Sequence, residues 1–177
     1  MRCFPPQEGA QAVRYMDRTT PFYNIATGVY AFQHLMMVSE GHQYDHVLFD
    51  RCVFDAYTWM KYWFKKGKLS QETMHMLQES FLMGAERIDA AFVVTCDPEV
   101  AMRRETKNEV TFQMGQYTTP SSIKSLIEWN KEAYEELSPR FPQLALLDTT
   151  TLDEKAAVQK TLDMILQALE KKILSAP

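Results

Sequence analysis

The chain has 177 residues, of which 46% are hydrophobic and 24% charged, the profile of an ordinary soluble globular protein with one domain and a sizeable core. Its formal net charge of -4, without any basic block, argues against a nucleic-acid polymer or an anionic membrane as partner. The three cysteines are scattered, and neither a membrane-length apolar run nor a secretory leader is visible, so we expect a cytoplasmic protein.

The N-terminal part of the chain predicts a loop-like start followed by one helix. Residues 1–20 contain two prolines and a glycine that interrupt regular structure. Thr20 and Pro21 are a favourable helix start, with threonine as the N-cap and proline at the first helical position. Apolar residues then recur at helical spacing to about Ser39, and Gly41 predicts the end of this helix.

The stretch 46–50 carries the first candidate site. It predicts a short buried strand, because its three central residues are apolar and do not alternate with polar ones. The strand ends in Asp50 and Arg51, directly before an aromatic-rich helix expected over 54–64. Ligands bind at the carboxyl ends of strands in open parallel sheets, so this acid and base predict a chemical site. A structural ion pair is the alternative interpretation.

The later part of the chain continues the alternation of helices and strands. The expected ranges are a helix over 70–84, a strand over 90–95, a helix from Asp97, a helix over 120–137, a strand over 144–148 and a helix over 153–174. This alternation predicts an α/β domain with a parallel sheet and helices on both faces. We therefore expect the strands near 46–50, 91–95 and 144–148 to be parallel neighbours in one sheet.

Several short motifs follow one another in a recognisable order. A strand ends in Asp-Arg-Cys at 50–52, a strand runs into Asp-Pro-Glu-Val at 97–100, a basic helix follows, and a last strand ends in Asp148 and Thr149. This order resembles the P-loop nucleoside and nucleotide kinases, above all the deoxynucleoside kinases and thymidylate kinases. The resemblance covers nearly the whole chain. It implies a three-layer P-loop kinase fold and ATP-dependent transfer of a γ-phosphoryl group to a small molecule.

The resemblance also implies roles for individual residues. Asp50 is expected to hold a magnesium ion through water or to accept a proton from the substrate hydroxyl, and Arg51 to hold the substrate side of the transferred phosphate. The candidate lid cations are Arg103, Arg104 and Lys107, the loop beside the adenine is expected at Asp148 and Thr149, and the candidate substrate pocket contains Gln33, Phe54 and Tyr57. ATP and Mg²⁺ are the expected cofactors. The expected substrate is a nucleoside or nucleotide, and a homodimer is left open.

A structural role is the alternative at several of these positions. Arg103 and Arg104 also fit a solvated helix face, and Asp148 also fits a strand-end or helix-cap role. The aromatic residues at helical spacing also fit a hydrophobic core. Cys52 fits either a reactive thiol or a buried small side chain. These alternatives stay open at the level of the sequence.

The sequence departs from the resembled family at its defining element. The phosphate loop G-x-x-x-x-G-K-[ST] is absent, since the only Gly-Lys pair, Gly67-Lys68, is followed by Leu69. We therefore expect a single kinase-like domain over 1–177 that lacks the first strand and the phosphate loop at its N-terminus and is inactive alone. In the resembled fold the lost strand lies between the strands matching 46–50 and 91–95, so these two should then pair directly, or the chain should self-associate. A non-catalytic relative that binds or interacts is the alternative function.

Overall fold

The computed structural model describes residues 3–4, 9–41, 43–107 and 119–175, with the backbone alone at 3–4, 105–107 and 175. Its elements are β1 (Cys3–Phe4), α1 (Gly9–Ala12), α2 (Pro21–Gly41), β2 (His46–Val47), α3 (Val53–Lys65), α4 (Gln71–Leu82), a 3-10 turn (Ala85–Arg87), β3 (Ala91–Thr95), α5 (Pro98–Lys107), α6 (Pro120–Leu137), β4 (Leu144–Asp148) and α7 (Glu154–Ser175). The chain is thus of mixed α/β type. It divides into two units, 1–88 and 89–177, and the expectation of one kinase-like domain stays a prediction.

Two short parallel sheets replace the predicted single sheet in the described residues. β3 pairs with β4 over their whole length, from Ala91 opposite Leu144 to Thr95 opposite Asp148, which confirms the predicted parallel pairing of these two strands. β2 pairs with β1 and not with β3, so the direct pairing expected between the strands near 46–50 and 91–95 does not form among the described strands. The strand expected over 46–50 is also shorter than predicted, because the backbone turns away after Val47 on its way to α3.

Strand β1 and helix α1 lie where the sequence predicted a loop. β1 forms by pairing with β2, so its two residues depend on a partner more than forty positions away and not on local propensity. α1 has only four residues and carries neither an acidic first turn nor a basic last turn. The sequence of neither element therefore contains a local signal that would distinguish it from a loop.

Local capping explains why helices α4 and α6 begin where they do. The side chain of Ser70 accepts a hydrogen bond from the backbone N–H of Thr73 at the start of α4. At the start of α6, Thr119 and Ser122 form a reciprocal capping box, and Pro120 takes the first helical position. These caps satisfy backbone N–H groups that have no partner inside the helix. They account for helix starts that agree with the sequence to within a residue.

The core of the first unit lies where α3 packs against α2 and α4. Its buried side chains share an apolar or aromatic character, and the largest are Tyr23, Leu35, Phe54, Met60, Trp63, Met74, Phe81 and Leu82. Most of the aromatic residues of α3 are at least half-buried here, which supports the core alternative for this group. This packing fixes the orientation of α2 and α3, the two helices that supply the walls of the candidate site.

Gly28 is the point at which α2 approaches the other two helices most closely. A Cβ atom at this position would lie 2.7 Å from Cζ of Phe81 and 2.9 Å from Cβ of Ala56. We expect Gly28→Ala to lower the free energy of unfolding by about 1 kcal/mol, because overpacking of about 1–3 kcal/mol outweighs a gain in helix propensity of about 1 kcal/mol. Denaturant unfolding measures this loss. Gly41→Ala is the control, since the nearest atom there is 3.8 Å away, and equal stability of the two variants would contradict the packing argument.

The second unit is built on the β3–β4 pair, with α6 packed against both strands and against α5. Its buried apolar residues are Ala133, Leu137, Phe141, Leu144 and Leu147. The last helix, α7, is about half-exposed at its apolar residues Val158, Leu162 and Leu166. None of the helices in the described ranges is both long and apolar enough to cross a membrane.

Candidate functional site

Asp50 and Arg51 line an open cleft in the first unit. The cleft is shallow, with a cavity volume of about 30 Å³, and lies between the loop after β2, the N-terminal half of α2, the start of α1 and the first turn of α3. Its polar lining within the described residues comprises Tyr23, Asn24, Thr27, Asp50, Arg51 and Asp55. Two acids and one base therefore share a cleft with neutral hydrogen-bonding groups. Such a lining suits a ligand that carries both donors and acceptors.

A smaller aromatic pocket adjoins this cleft and shares Asp50 and Arg51 with it. Its other described lining includes Tyr30, His34 and Phe49. The rings of Tyr30 and His34 have their centroids 4.3 Å apart and are tilted by 49°. Asp50 and Arg51 thus lie where a polar cleft meets an aromatic pocket. The aromatic pocket is shallow, about 10 Å³, so a stacking ring would contact its rim and not enter it.

The backbone of Arg51 is held in an unfavourable conformation. Its φ is 64°, and no other non-glycine residue in the described ranges has a positive φ. A non-glycine residue in this region costs of order 1–3 kcal/mol, and such residues cluster at functional sites. The conformation turns the chain from β2 into α3 and places Arg51 on the cleft. The strain is therefore an observation that favours a functional role for Arg51.

Asn24 is a cleft residue that the sequence did not single out. Nε1 of Trp63 donates a hydrogen bond to its Oδ1 over 2.9 Å, and both side chains are buried. One turn later on α2, the hydroxyl of Thr27 donates to the carbonyl of Asn24 over 2.9 Å. The only sequence signal was a polar amide among apolar helical residues, where asparagine has a low propensity.

The Cys52 thiol is half-buried, and its burial disfavours the reactive thiolate form. Burial raises its pKa to about 11, against an opposing hydrogen bond from the Val53 N–H, and the nearby Asp55 carboxylate adds the smallest contribution in the same direction as burial. At pH 8 roughly one such thiol in a thousand is ionised, and only the thiolate reacts. The structure thus favours the buried alternative for this residue.

We expect iodoacetamide to label Cys52 slowly near neutral pH and at an appreciable rate only at high pH. In a Cys3→Ser, Cys96→Ser background, the labelling rate should rise about tenfold per pH unit between pH 8 and pH 10, because the thiolate fraction rises by that factor below the pKa. Mass spectrometry of the alkylated peptide measures this rate. A plateau of the rate below pH 9 would show a reactive thiol.

The predicted substrate pocket at Gln33, Phe54 and Tyr57 does not form part of either cleft in the described residues. Gln33 is exposed, and Phe54 is buried in the core. The carbonyl of Tyr57 accepts a hydrogen bond from Nε2 of Gln78 over 3.2 Å. The physical reason is the helix period: Asn24 and Thr27 share the face of α2 that reaches the cleft, whereas Gln33 lies on another face.

In the second unit, Arg104 binds the loop that follows β4. Its Nη1 donates to the hydroxyl of Thr149 over 3.0 Å, and its Nη2 donates to the carbonyls of Thr149 and Leu152, each over 2.7 Å. The same hydroxyl of Thr149 donates to the carbonyl of Thr95, which joins the ends of β4 and β3. The candidate lid helix and the candidate adenine loop are thus connected by Arg104. Arg103 is exposed, and the side chain of Lys107 lies outside the described residues.

Asp148 takes the strand-end role that was its alternative interpretation. Its Oδ1 accepts hydrogen bonds from the hydroxyl of Thr150 over 2.6 Å and from its N–H over 2.8 Å. These bonds, the one from the hydroxyl first, hold the pKa of Asp148 below its usual value. The Thr150 hydroxyl also accepts from the N–H of Asp97, whose carboxylate in turn caps α5 through the N–H of Glu99. The loops at the carboxyl ends of β3 and β4 are therefore tied together.

Asp50 could hold a magnesium ion only together with the phosphate groups of a bound substrate. The described residues contain no group of three or more His, Cys, Asp or Glu side chains that could hold a metal. Magnesium is usually held by one or two carboxylates together with water and substrate phosphates. Asp50 suits such a site only when phosphate oxygens complete the coordination. When bound, the ion would neutralise charge on those phosphates.

Comparison with known proteins does not assign a family. No protein-family model matches the chain, and no curated protein matches it. The resemblance to P-loop kinases therefore rests on the motifs of the sequence, and the candidate site rests on the geometry described above.

Proposed function

We propose that this chain carries the substrate-binding part of an ATP-dependent nucleoside or nucleotide kinase with the three-layer P-loop architecture. In this proposal, Asp50 and Arg51 meet the phosphate-accepting end of a nucleoside or nucleotide. The observation that carries the proposal is the strained Arg51, with φ of 64°, at the junction of a polar cleft and an aromatic pocket. A nucleoside has the matching halves, since its base stacks on aromatic rings and its sugar presents hydroxyl groups.

The second unit supplies the other half of the proposal. Arg103, Arg104 and Lys107 are proposed to lie at the lid, and Asp148 and Thr149 beside the adenine of ATP. The support is the connection that Arg104 makes between α5 and the Thr149 loop, because a lid helix anchored to that loop would move with it. ATP and Mg²⁺ are the proposed cofactors.

The alternative is a non-catalytic relative that acts as a binding or interaction protein. The 177 residues contain no G-x-x-x-x-G-K-[ST], the element that cradles phosphates in the resembled family. We therefore propose that this chain by itself binds a nucleoside or nucleotide but does not transfer phosphate from ATP.

A transfer assay combined with titration tests the proposal. Thymidine, deoxycytidine, deoxyadenosine, deoxyguanosine and their 5′-monophosphates are each titrated into the chain, and each is then incubated with γ-labelled ATP and Mg²⁺. We expect micromolar binding of at least one compound without labelled product. Turnover would show that another segment replaces the phosphate loop. Absence of binding by all eight compounds would overturn the proposal.

A further inference from the structure

A buried hydrogen bond fixes one amide group at the wall of the cleft. Nε1 of Trp63, on α3, donates to Oδ1 of Asn24, on α2, over 2.9 Å. Asn24 is 6% exposed and Trp63 is 5% exposed. An indole nitrogen can only donate, so a flipped amide would face the Trp63 N–H with its own N–H groups and leave both without an acceptor. The orientation of the Asn24 amide is therefore set by its neighbour.

The opposite end of the same amide is the end available to a ligand. Nδ2 of Asn24 carries two N–H groups, and these make no hydrogen bond to any residue in the described ranges. Asn24 also lines the cleft that contains Asp50 and Arg51. Nδ2 is not among the fully buried side-chain atoms that lack a partner in the described residues, so it has some access to solvent at the cleft. A donor held in a fixed direction at a cleft wall suits the recognition of an oxygen acceptor.

We propose that Asn24 is a ligand-binding residue whose N–H groups donate to an oxygen of the bound nucleoside or nucleotide. Trp63 is a positioning residue that holds this donor in place without touching the ligand. The inference rests on the proposed function and deepens it by naming a specificity-determining contact. Asp50 and Asp55 offer charged acceptors in the same cleft, and Arg51 offers a charged donor. Asn24 adds the neutral donor, which discriminates against ligands that lack an acceptor at this point.

A double-mutant cycle on affinity tests both roles. The probe is whichever of the eight nucleosides and monophosphates the native chain binds most tightly, and its dissociation constant is measured for Asn24→Ala, Trp63→Phe and the double variant. We expect Asn24→Ala to weaken binding about tenfold and Trp63→Phe about threefold, as a lost and a misdirected hydrogen bond would do. In the Asn24→Ala background, Trp63→Phe should have no further effect on affinity. Denaturant unfolding of each variant separates these effects from stability.

Asn24→Asp is the second variant, because it preserves the acceptor for Trp63 and the shape of the side chain. It replaces the N–H groups with an oxygen, so we expect binding at least as weak as in Asn24→Ala. Unchanged affinity in both folded Asn24 variants would overturn the inference and leave the proposed function intact. An equal effect of Trp63→Phe in both backgrounds would overturn the positioning role. Absence of binding by the native chain would overturn the proposed function and this inference together.

Discussion

Arg51→Gly is expected to weaken nucleoside binding by about 100-fold, because two charge-assisted hydrogen bonds from a guanidinium contribute about 3 kcal/mol. The same substitution should relieve the backbone, since glycine adopts a φ of 64° without the penalty of a Cβ atom. This one variant should therefore bind the nucleoside more weakly and have a less strained backbone at position 51. Calorimetric titration and denaturant unfolding measure the two effects separately.

Arg51→Ala is the matched control for this prediction. Both variants lose every interaction of the guanidinium, but alanine retains the left-handed strain. We expect Arg51→Gly to be more stable than Arg51→Ala by about 1 kcal/mol and to bind the nucleoside equally weakly. If the two variants are equally stable, the conformation of Arg51 is not strained in solution. If both bind as the native chain does, Arg51 has no role in the cleft.

Arg104→Ala is expected to lower the free energy of unfolding by about 3 kcal/mol. The guanidinium bonds to the hydroxyl and carbonyl of Thr149 and to the carbonyl of Leu152, and its removal leaves these acceptors without their charged donor. Arg104→Lys should be destabilised by about 2 kcal/mol, because an ammonium group cannot reproduce a planar fork. Denaturant unfolding measures both values.

Arg103→Ala is the control on the same helix. Arg103 is exposed, and substitutions at exposed positions usually change stability by about 0.5 kcal/mol or less. Hydrogen exchange gives a second readout, since the N–H of Thr149 donates to the carbonyl of Thr95 over 2.9 Å and should lose protection in Arg104→Ala. Equal stability of the Arg103 and Arg104 variants would contradict the anchoring role of Arg104.

The sequence predicted what local chemistry controls. The bounds of α6 agree with the prediction because Thr119, Pro120 and the apolar period all specify the same start and face. The strands over 91–95 and 144–148 were predicted by unbroken apolar runs, and they pair in parallel as expected. The candidate acid and base at 50–51 lie on a cleft, but their role as a chemical site stays a prediction, and they follow a five-residue connection from β2 to α3 that was not expected.

The sequence could not predict which face of α2 forms the cleft wall. Large apolar residues occur around most of this helix, and Phe22, Val29 and Met37 are each more than half exposed. Because α2 has no single apolar stripe, the helical spacing of its apolar residues did not distinguish the face of Asn24 from that of Gln33. The pairing of β1 with β2 and the bond from Trp63 to Asn24 were equally inaccessible, since both join residues about forty positions apart.

Chemical-shift mapping during a titration with the tightest-binding nucleoside or monophosphate tests the central claim most directly. The claim is that the cleft at Asp50 and Arg51 is the ligand site. We expect saturable shifts at the backbone amides of Arg51 and Thr27 and at the side-chain amide of Asn24, with Gly67, which lies outside both pockets, as the unchanged reference. The same titration of Arg51→Gly should give shifts that do not saturate. Saturable binding that leaves Arg51, Thr27 and Asn24 unshifted would contradict the claim.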